Sequence, residues 1–193
     1  MNPYPMVARW TPEITDASSR VAAVQGVRVP LPVTESVMQI ESGGDVNVAT
    51  PGAYGLMQVT AGSMEPYDLP RAQADPKYGI WAGVNELAKR EKDSGGLPWE
   101  NVAVGYFSGH YRPTGQAVDM YGTTDTMYQT RFRAYMQEFG GDPQASGSSG
   151  VATRTGGATD AIVTAVGPLS RRVLLFAGGA GLMGVALWSK RSK

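Results

Sequence analysis

The residues best suited to chemistry lie in one stretch, Gln39–Gln58 (QIESGGDVNVATPGAYGLMQ), headed by the carboxyl group of Glu41. Val37 precedes Glu41 by one helical turn, so the carboxyl projects from the same face as an apolar anchor and is expected to be partly buried. Burial disfavours the charged form, and so does the negative end of a helix dipole. A raised pKa, suited to donating a proton near neutrality, is the expectation. A glutamate fraying into solvent at a helix end fits the same position equally well. A glycosidase usually needs a second carboxylate as nucleophile or base. Asp45 is the nearest candidate but lies in a loop, and Asp75, followed by Pro76, reads as a helix cap.

Other chemistries are narrowed by composition. The chain has no cysteine, which removes disulfides, thiolate zinc sites and thiol nucleophiles together. Its single histidine, His110, supports neither a Ser-His-Asp triad elsewhere in the chain nor a two-histidine metal motif, and reads as a loop residue. Formal net charge is zero, so no basic excess points to nucleic acid. With 193 residues, 42% of them hydrophobic and 18% charged, one globular domain with appendages is expected.

The elements that would position Glu41 are helical. Thr11 and Pro12 read as N-cap and first position of a helix carrying Ile14, Ala17, Val21 and Val24, stopped by Gly26. Pro30 and Pro32 precede Thr34, read as the cap of the Glu41 helix, which Gly43 and Gly44 end. Asp75 and Pro76 open a third helix with Ile80, Val84 and Leu87 on its apolar side; Glu86, Lys89, Arg90, Glu91 and Lys92 are placed mostly opposite. Thr124 starts a last helix with Tyr128, Phe132, Tyr135, Met136 and Phe139.

The pair Glu41-Ser42, the nine-residue step to Thr50, the run Pro51-Gly52-Ala53 and the tetrad Gly55-Leu56-Met57-Gln58 together resemble the signature of the lytic transglycosylase (SLT-type) family, relatives of goose-type lysozyme. DPKYGIWAGVNEL (75–87) and AVGYFSG (103–109) resemble later family blocks, with Phe107 and Ser108 in place of the family's asparagine and alanine. After GLMQ the family commonly has an apolar residue, methionine and proline, whereas this chain has Val59, Thr60 and Ala61. The resemblance implies a mainly α, lysozyme-like domain without metal or cofactor. It implies cleavage of peptidoglycan between N-acetylmuramic acid and N-acetylglucosamine by one glutamate, ending in a 1,6-anhydro sugar. Carried over by position, Glu41 is the acid and then the base, and Ser42 supports the helix end. Thr50 offers a hydroxyl to the carboxyl, and Gln58 an amide to the glycan. Tyr106 and Tyr128 supply a stacking face and a hydroxyl; tyrosines packed in a helical core with the hydroxyl at the surface are the other reading. Ser42, Thr50, Gln58, Tyr106 and Tyr128 are thus the expected substrate-side residues.

Three regions are expected: a catalytic domain over 1–140, a Gly/Ser/Thr-rich linker over 141–168 and a membrane anchor over 169–193. A random-coil linker of this length would reach roughly 30 Å. Val173–Trp188 is a run of sixteen uncharged residues between Arg171, Arg172 and Lys190, Arg191. As a helix it would cover about 24 Å of a hydrocarbon core of about 30 Å, with snorkelling basic side chains making up the difference. A buried terminal helix of the domain is the competing reading. Ala177 with Gly181, and Ala180 with Gly184, would allow close helix contacts in lipid, hence self-association or contact with other virion membrane proteins. No basic, apolar export signal opens the chain. An enzyme carried in a bacteriophage particle, seated in a virion or host membrane and opening the wall during genome delivery, is the expectation that follows. A hydrolytic muramidase and an inactive glycan-binding virion protein are the competing readings.

Overall fold

Helix boundaries follow the prolines, glycines and capping side chains of the chain. The computed structural model describes residues 4–146. Seven helices occur there: α1 (Pro5–Ala8), α2 (Thr11–Gln25), α3 (Leu31–Glu41), α4 (Leu69–Ala74), α5 (Pro76–Ser94), α6 (Trp99–Ser108) and α7 (Asp125–Glu138). Between α3 and α4, β1 (Ala53–Tyr54) and β2 (Val59–Thr60) form a small antiparallel hairpin, with Ala53 opposite Thr60 and Tyr54 opposite Val59. The hairpin and α4 have no strong sequence pattern, because strands of two residues and a helix of six are held by their neighbours and not by periodicity.

Helix α2 ends on Gly26 in the left-handed conformation, and Asp75 caps α5 by accepting from the amides of Lys77 and Tyr78 at 3.0 and 3.3 Å. Thr124 caps α7 in the same way through Met127 N at 3.1 Å. The Glu41 helix starts one turn earlier than expected. Pro30 is its cap and Pro32 lies in its first turn, where a missing amide hydrogen costs nothing.

Helix α3 is the centre of the fold. Val33, Thr34, Glu35, Ser36, Val37, Met38, Ile40 and Glu41 are all buried on it, so it is enclosed on every side, as a helix without a polar face must be. It packs against α1, α2 and α7, while α5 lies along α2 and α6 joins α5 to α7. Val37, Met38, Trp99, Phe107, Tyr128 and Phe132 belong to the main core around it. Full burial of Val37 alone contributes about 1.5–3 kcal/mol. The core therefore fixes the helix whose last residue is Glu41.

The expected solvent face of α5 is only partly exposed. Glu86 and Glu91 are buried, because the hairpin side and α2 cover the helix from two directions. Residues 141–146, assigned to the linker by composition, pack on the start of α6. Ala145 O and Pro143 O accept from Trp99 N and Glu100 N at 3.0 and 3.2 Å, and Gln144 Nε2 reaches Glu100 at 2.6 Å.

The expectation of a C-terminal transmembrane helix, and with it a single-pass membrane location, is corrected. Among the described residues no helix is long and apolar enough to cross a membrane. The longest, α5, carries Lys77, Glu86, Lys89, Arg90, Glu91, Lys92 and Asp93 along its length, a charge load that fits an amphipathic helix and not a span. The segment 169–193, on which the anchor rested, lies outside the described residues, as does 147–168. The virion-membrane setting loses its support with it.

Two buried carboxylates set the expected acid sensitivity. Glu100 is held below the usual carboxylate range by the Arg133 guanidinium, with Gln144 assisting, against a smaller desolvation cost. At Asp125 burial pushes upward, but backbone amides of Thr114, Gly115 and Thr126 outweigh it and the net direction is down. Groups depressed in the folded state stabilise above their unfolded pKa of about 4, and that stability is lost as pH falls through the lower folded value. The urea midpoint is therefore expected to hold between pH 7 and 5 and to fall below about pH 4. Glu100→Gln is expected to flatten that fall; an unchanged slope in this variant would remove Glu100 as a source.

Candidate active site

Glu41 ends α3 and is 6% exposed. The turn after it is locked from several sides. Ser42 Oγ donates to Leu56 O at 2.7 Å and accepts from Gly44 N at 3.1 Å, tying the helix end to the GLMQ loop. Gly44 sits where a Cβ would lie 2.4 Å from Met6 O, and its carbonyl accepts from Arg9 Nη2 at 3.0 Å and Trp10 Nε1 at 3.1 Å. The N-terminal segment thus braces the residue after which the chain turns.

The tetrad Gly55–Gln58 is the tip of the β1–β2 hairpin. Leu56 and Met57 point into the core, and Gly83 on α5 makes room for the Met57 side chain, which a Cβ there would meet at 2.3 Å. Gln58 has a φ of +49°, the one positive φ outside glycine among the described residues. Such strain of order 1–3 kcal/mol persists where surroundings impose it, often at functional sites. Gln58 N and Nε2 both donate to Gly55 O, at 3.1 and 2.7 Å, while Oε1 has no hydrogen-bond partner.

Glu41, Gln58 and Tyr106 line one open cleft, with Val59, Thr60, Gly62, Ser63, Glu86, Arg90 and Gly109. Three of the expected site residues therefore meet there. The other three stand behind the wall. Tyr128 is fully buried, stacks on Phe107 at 4.7 Å, and donates its hydroxyl to Glu41 Oε1 at 2.7 Å. Its ring faces no cleft; it positions the carboxyl. Ser42 is buried at the helix end. Thr50 is buried and its Oγ1 makes no hydrogen bond, so the expected contact with the Glu41 carboxyl is absent; Thr50 is turned into the Thr50–Ala53 bridge instead.

Tyr106 donates to Met57 O at 2.6 Å. Burial, then the Glu41 carboxylate, then Glu86 hold its hydroxyl well above the ordinary tyrosine range, so it remains a donor at any working pH. With the hydroxyl committed, the ring is what Tyr106 presents to a ligand.

Sequence reading missed Glu86 and Arg90. Their i, i+4 spacing marks an ion pair, but only the docking of the hairpin onto α5 turns that pair into a cleft wall. Among the described residues no group of three or more His, Asp or Glu could hold a metal.

The described residues thus form a helical domain in which a buried glutamate ends one helix at an open cleft. Residues 21–125 match the transglycosylase SLT domain, and the chain belongs to that family, whose members are transglycosylases acting on peptidoglycan. No curated protein matches the chain.

Tyr128→Phe keeps the buried ring and removes the hydroxyl that donates to Glu41. A fall in kcat of about 10-fold with KM nearly unchanged is expected, the cost of one charge-assisted bond. Steady-state kinetics on soluble peptidoglycan fragments would measure it, and an unchanged kcat would remove Tyr128 from the site.

Proposed function

We propose that the chain is a lytic transglycosylase that cleaves the β-1,4 bond from N-acetylmuramic acid to N-acetylglucosamine, with Glu41 as its one acid and base. The carrying observation is the unequal state of the two cleft carboxylates. Glu41 ends a rigid buried helix at the cleft. Glu86 is engaged by Arg90 Nε at 2.8 Å, by Met64 N at 3.2 and 3.0 Å, and by the Tyr67 hydroxyl at 3.4 Å. A carboxylate saturated in this way is a poor base for water.

In the first step Glu41 gives its proton to the glycosidic oxygen, the C1–O4 bond breaks, and the substrate's acetamido oxygen bonds to C1. In the second, the Glu41 carboxylate takes the proton from the C6 hydroxyl, O6 attacks C1, and the acetamido oxygen leaves. The product is the 1,6-anhydro sugar and Glu41 is again protonated. In this reading Gln58 hydrogen-bonds the N-acetyl group or ring hydroxyls and the Tyr106 ring packs on a sugar face, which their shared place in the cleft lining supports.

Mass spectrometry of muropeptides released from purified peptidoglycan by the full chain tests this reading. Anhydro ends are expected. Reducing ends would instead establish the hydrolytic reading. No release would leave a glycan-binding protein without activity.

A further inference from the structure

Arg90 is the single cationic side chain among the described residues that line the cleft, and the reaction as written has no use for it. Its side chain is 12% exposed, and Glu86, 3% exposed, fixes it through Nε. Glu86 is itself fixed: two contacts to Met64 N and one from Tyr67, whose hydroxyl accepts from Asn85 Nδ2 at 3.0 Å. The guanidinium also interacts with the Tyr111 hydroxyl, and its charge is felt at Tyr106. A guanidinium has five N–H donors in a planar fork; Glu86 takes the Nε donor and Tyr111 another, which leaves three. Glu86 and Tyr111 thus restrain the side chain at the wall it shares with Glu41 and Gln58, so part of its ordering cost is met before any ligand binds. A fork so placed suits a carboxylate, which it can bind through two parallel hydrogen bonds.

We propose that Arg90, braced by Glu86, is a specificity-determining contact for a carboxylate of the muramyl unit. This rests on the glycan-cleaving reading above. Two sources supply that chemistry: the lactyl acid at C3 of a peptide-free muramyl sugar, or an acid of the peptide stem when the lactyl group is amidated. Uncharged glycans of the same backbone lack both.

The test uses the full chain carrying Glu41→Gln, so that bound glycan is not consumed, with and without Arg90→Gln. Three probes are titrated by calorimetry: a peptide-free peptidoglycan oligosaccharide, the same oligosaccharide with stems, and a chito-oligosaccharide of equal length. Arg90→Gln is expected to weaken a carboxylate-bearing probe by at least about 10-fold and the chito-oligosaccharide by less than about twofold. The probe that loses affinity identifies the source. Equal weakening of all three, or of none, would overturn the proposal.

Because Arg90→Gln strands the buried Glu86 charge, the double variant Glu86→Gln/Arg90→Gln is run beside it, and circular dichroism reports folding. The same probe selectivity is expected there, and its absence in the folded double variant overturns the proposal too. If the parent chain binds no glycan at all, the glycan reading itself falls and Arg90 falls with it, an outcome distinct from the two above.

Discussion

Glu41→Gln is expected to lower turnover on peptidoglycan by at least about 10³-fold while leaving the fold intact, because a positioned acid–base is worth about 10²–10⁴ and here one group serves both steps. The substitution is nearly isosteric. Gln retains an acceptor for the Tyr128 hydroxyl, so the 2.7 Å bond can persist and the end of α3 need not move. Thermal melting should therefore shift little, while anhydro muropeptides disappear from the digest. The Tyr128→Phe effect should vanish in this background, since a positioning hydrogen bond has no rate left to act on. Retention of substantial turnover by Glu41→Gln would sink the assignment of the acid. Among the described residues that line the cleft the other carboxylate is Glu86, and Glu86→Gln would then be the next variant to measure.

The second large effect is structural. Gly55→Ala is expected to cost roughly 2–4 kcal/mol, from left-handed strain plus overpacking. Gly55 has a φ of +71°, and a Cβ there would lie 2.2 Å from Ala72 O and 3.0 Å from Ala72 C, both backbone atoms that cannot step aside. Gly52 supplies the control. Its φ is +81° but nothing lies within 4 Å of a Cβ, so Gly52→Ala should lose only the backbone term of about 1–2 kcal/mol. Activity should separate the two further. Gly55 O receives both amide bonds of Gln58, so displacing residue 55 should move Gln58 in the cleft as well as loosen α4 and α5. Urea unfolding of both variants checks the order; equal losses would mean that the contact with Ala72 yields easily.

The same two glycine positions show what could be read before folding and what could not. Gly55 was legible as the first residue of the tetrad GLMQ, but its neighbour, Ala72 O, comes from a short helix with no pattern of its own. Glu41 was legible because a local pattern carries it: Val37 one turn earlier, two glycines after, and a motif of about twenty positions around it. Helix ends were legible wherever a cap is local, as at Asp75 and Thr124, and misplaced at α3, where Pro32 falls in a first turn that tolerates it.

Thr50 and Tyr128 mark the boundary of that legibility. Both were placed by motif position on the substrate's side, and each has its hydroxyl decided by packing. Thr50 is drawn into a bridge with Ala53, and Tyr128 is stacked on Phe107 with its oxygen on the carboxyl. Glu86 and Arg90 mark it from the other direction, charged residues of an amphipathic helix that become a cleft wall once the hairpin closes over them.

What the sequence determined by itself, then, is the family and the helical class, because these rest on contiguous residues whose spacing encodes them. The tertiary structure alone decided which hydroxyl bonds Glu41, which loop amide engages Glu86 and which carbonyl takes the Tyr106 hydroxyl. Those relations join residues 20 to 90 positions apart, and only the packing of α3, α5, α7 and the hairpin brings them within hydrogen-bond reach.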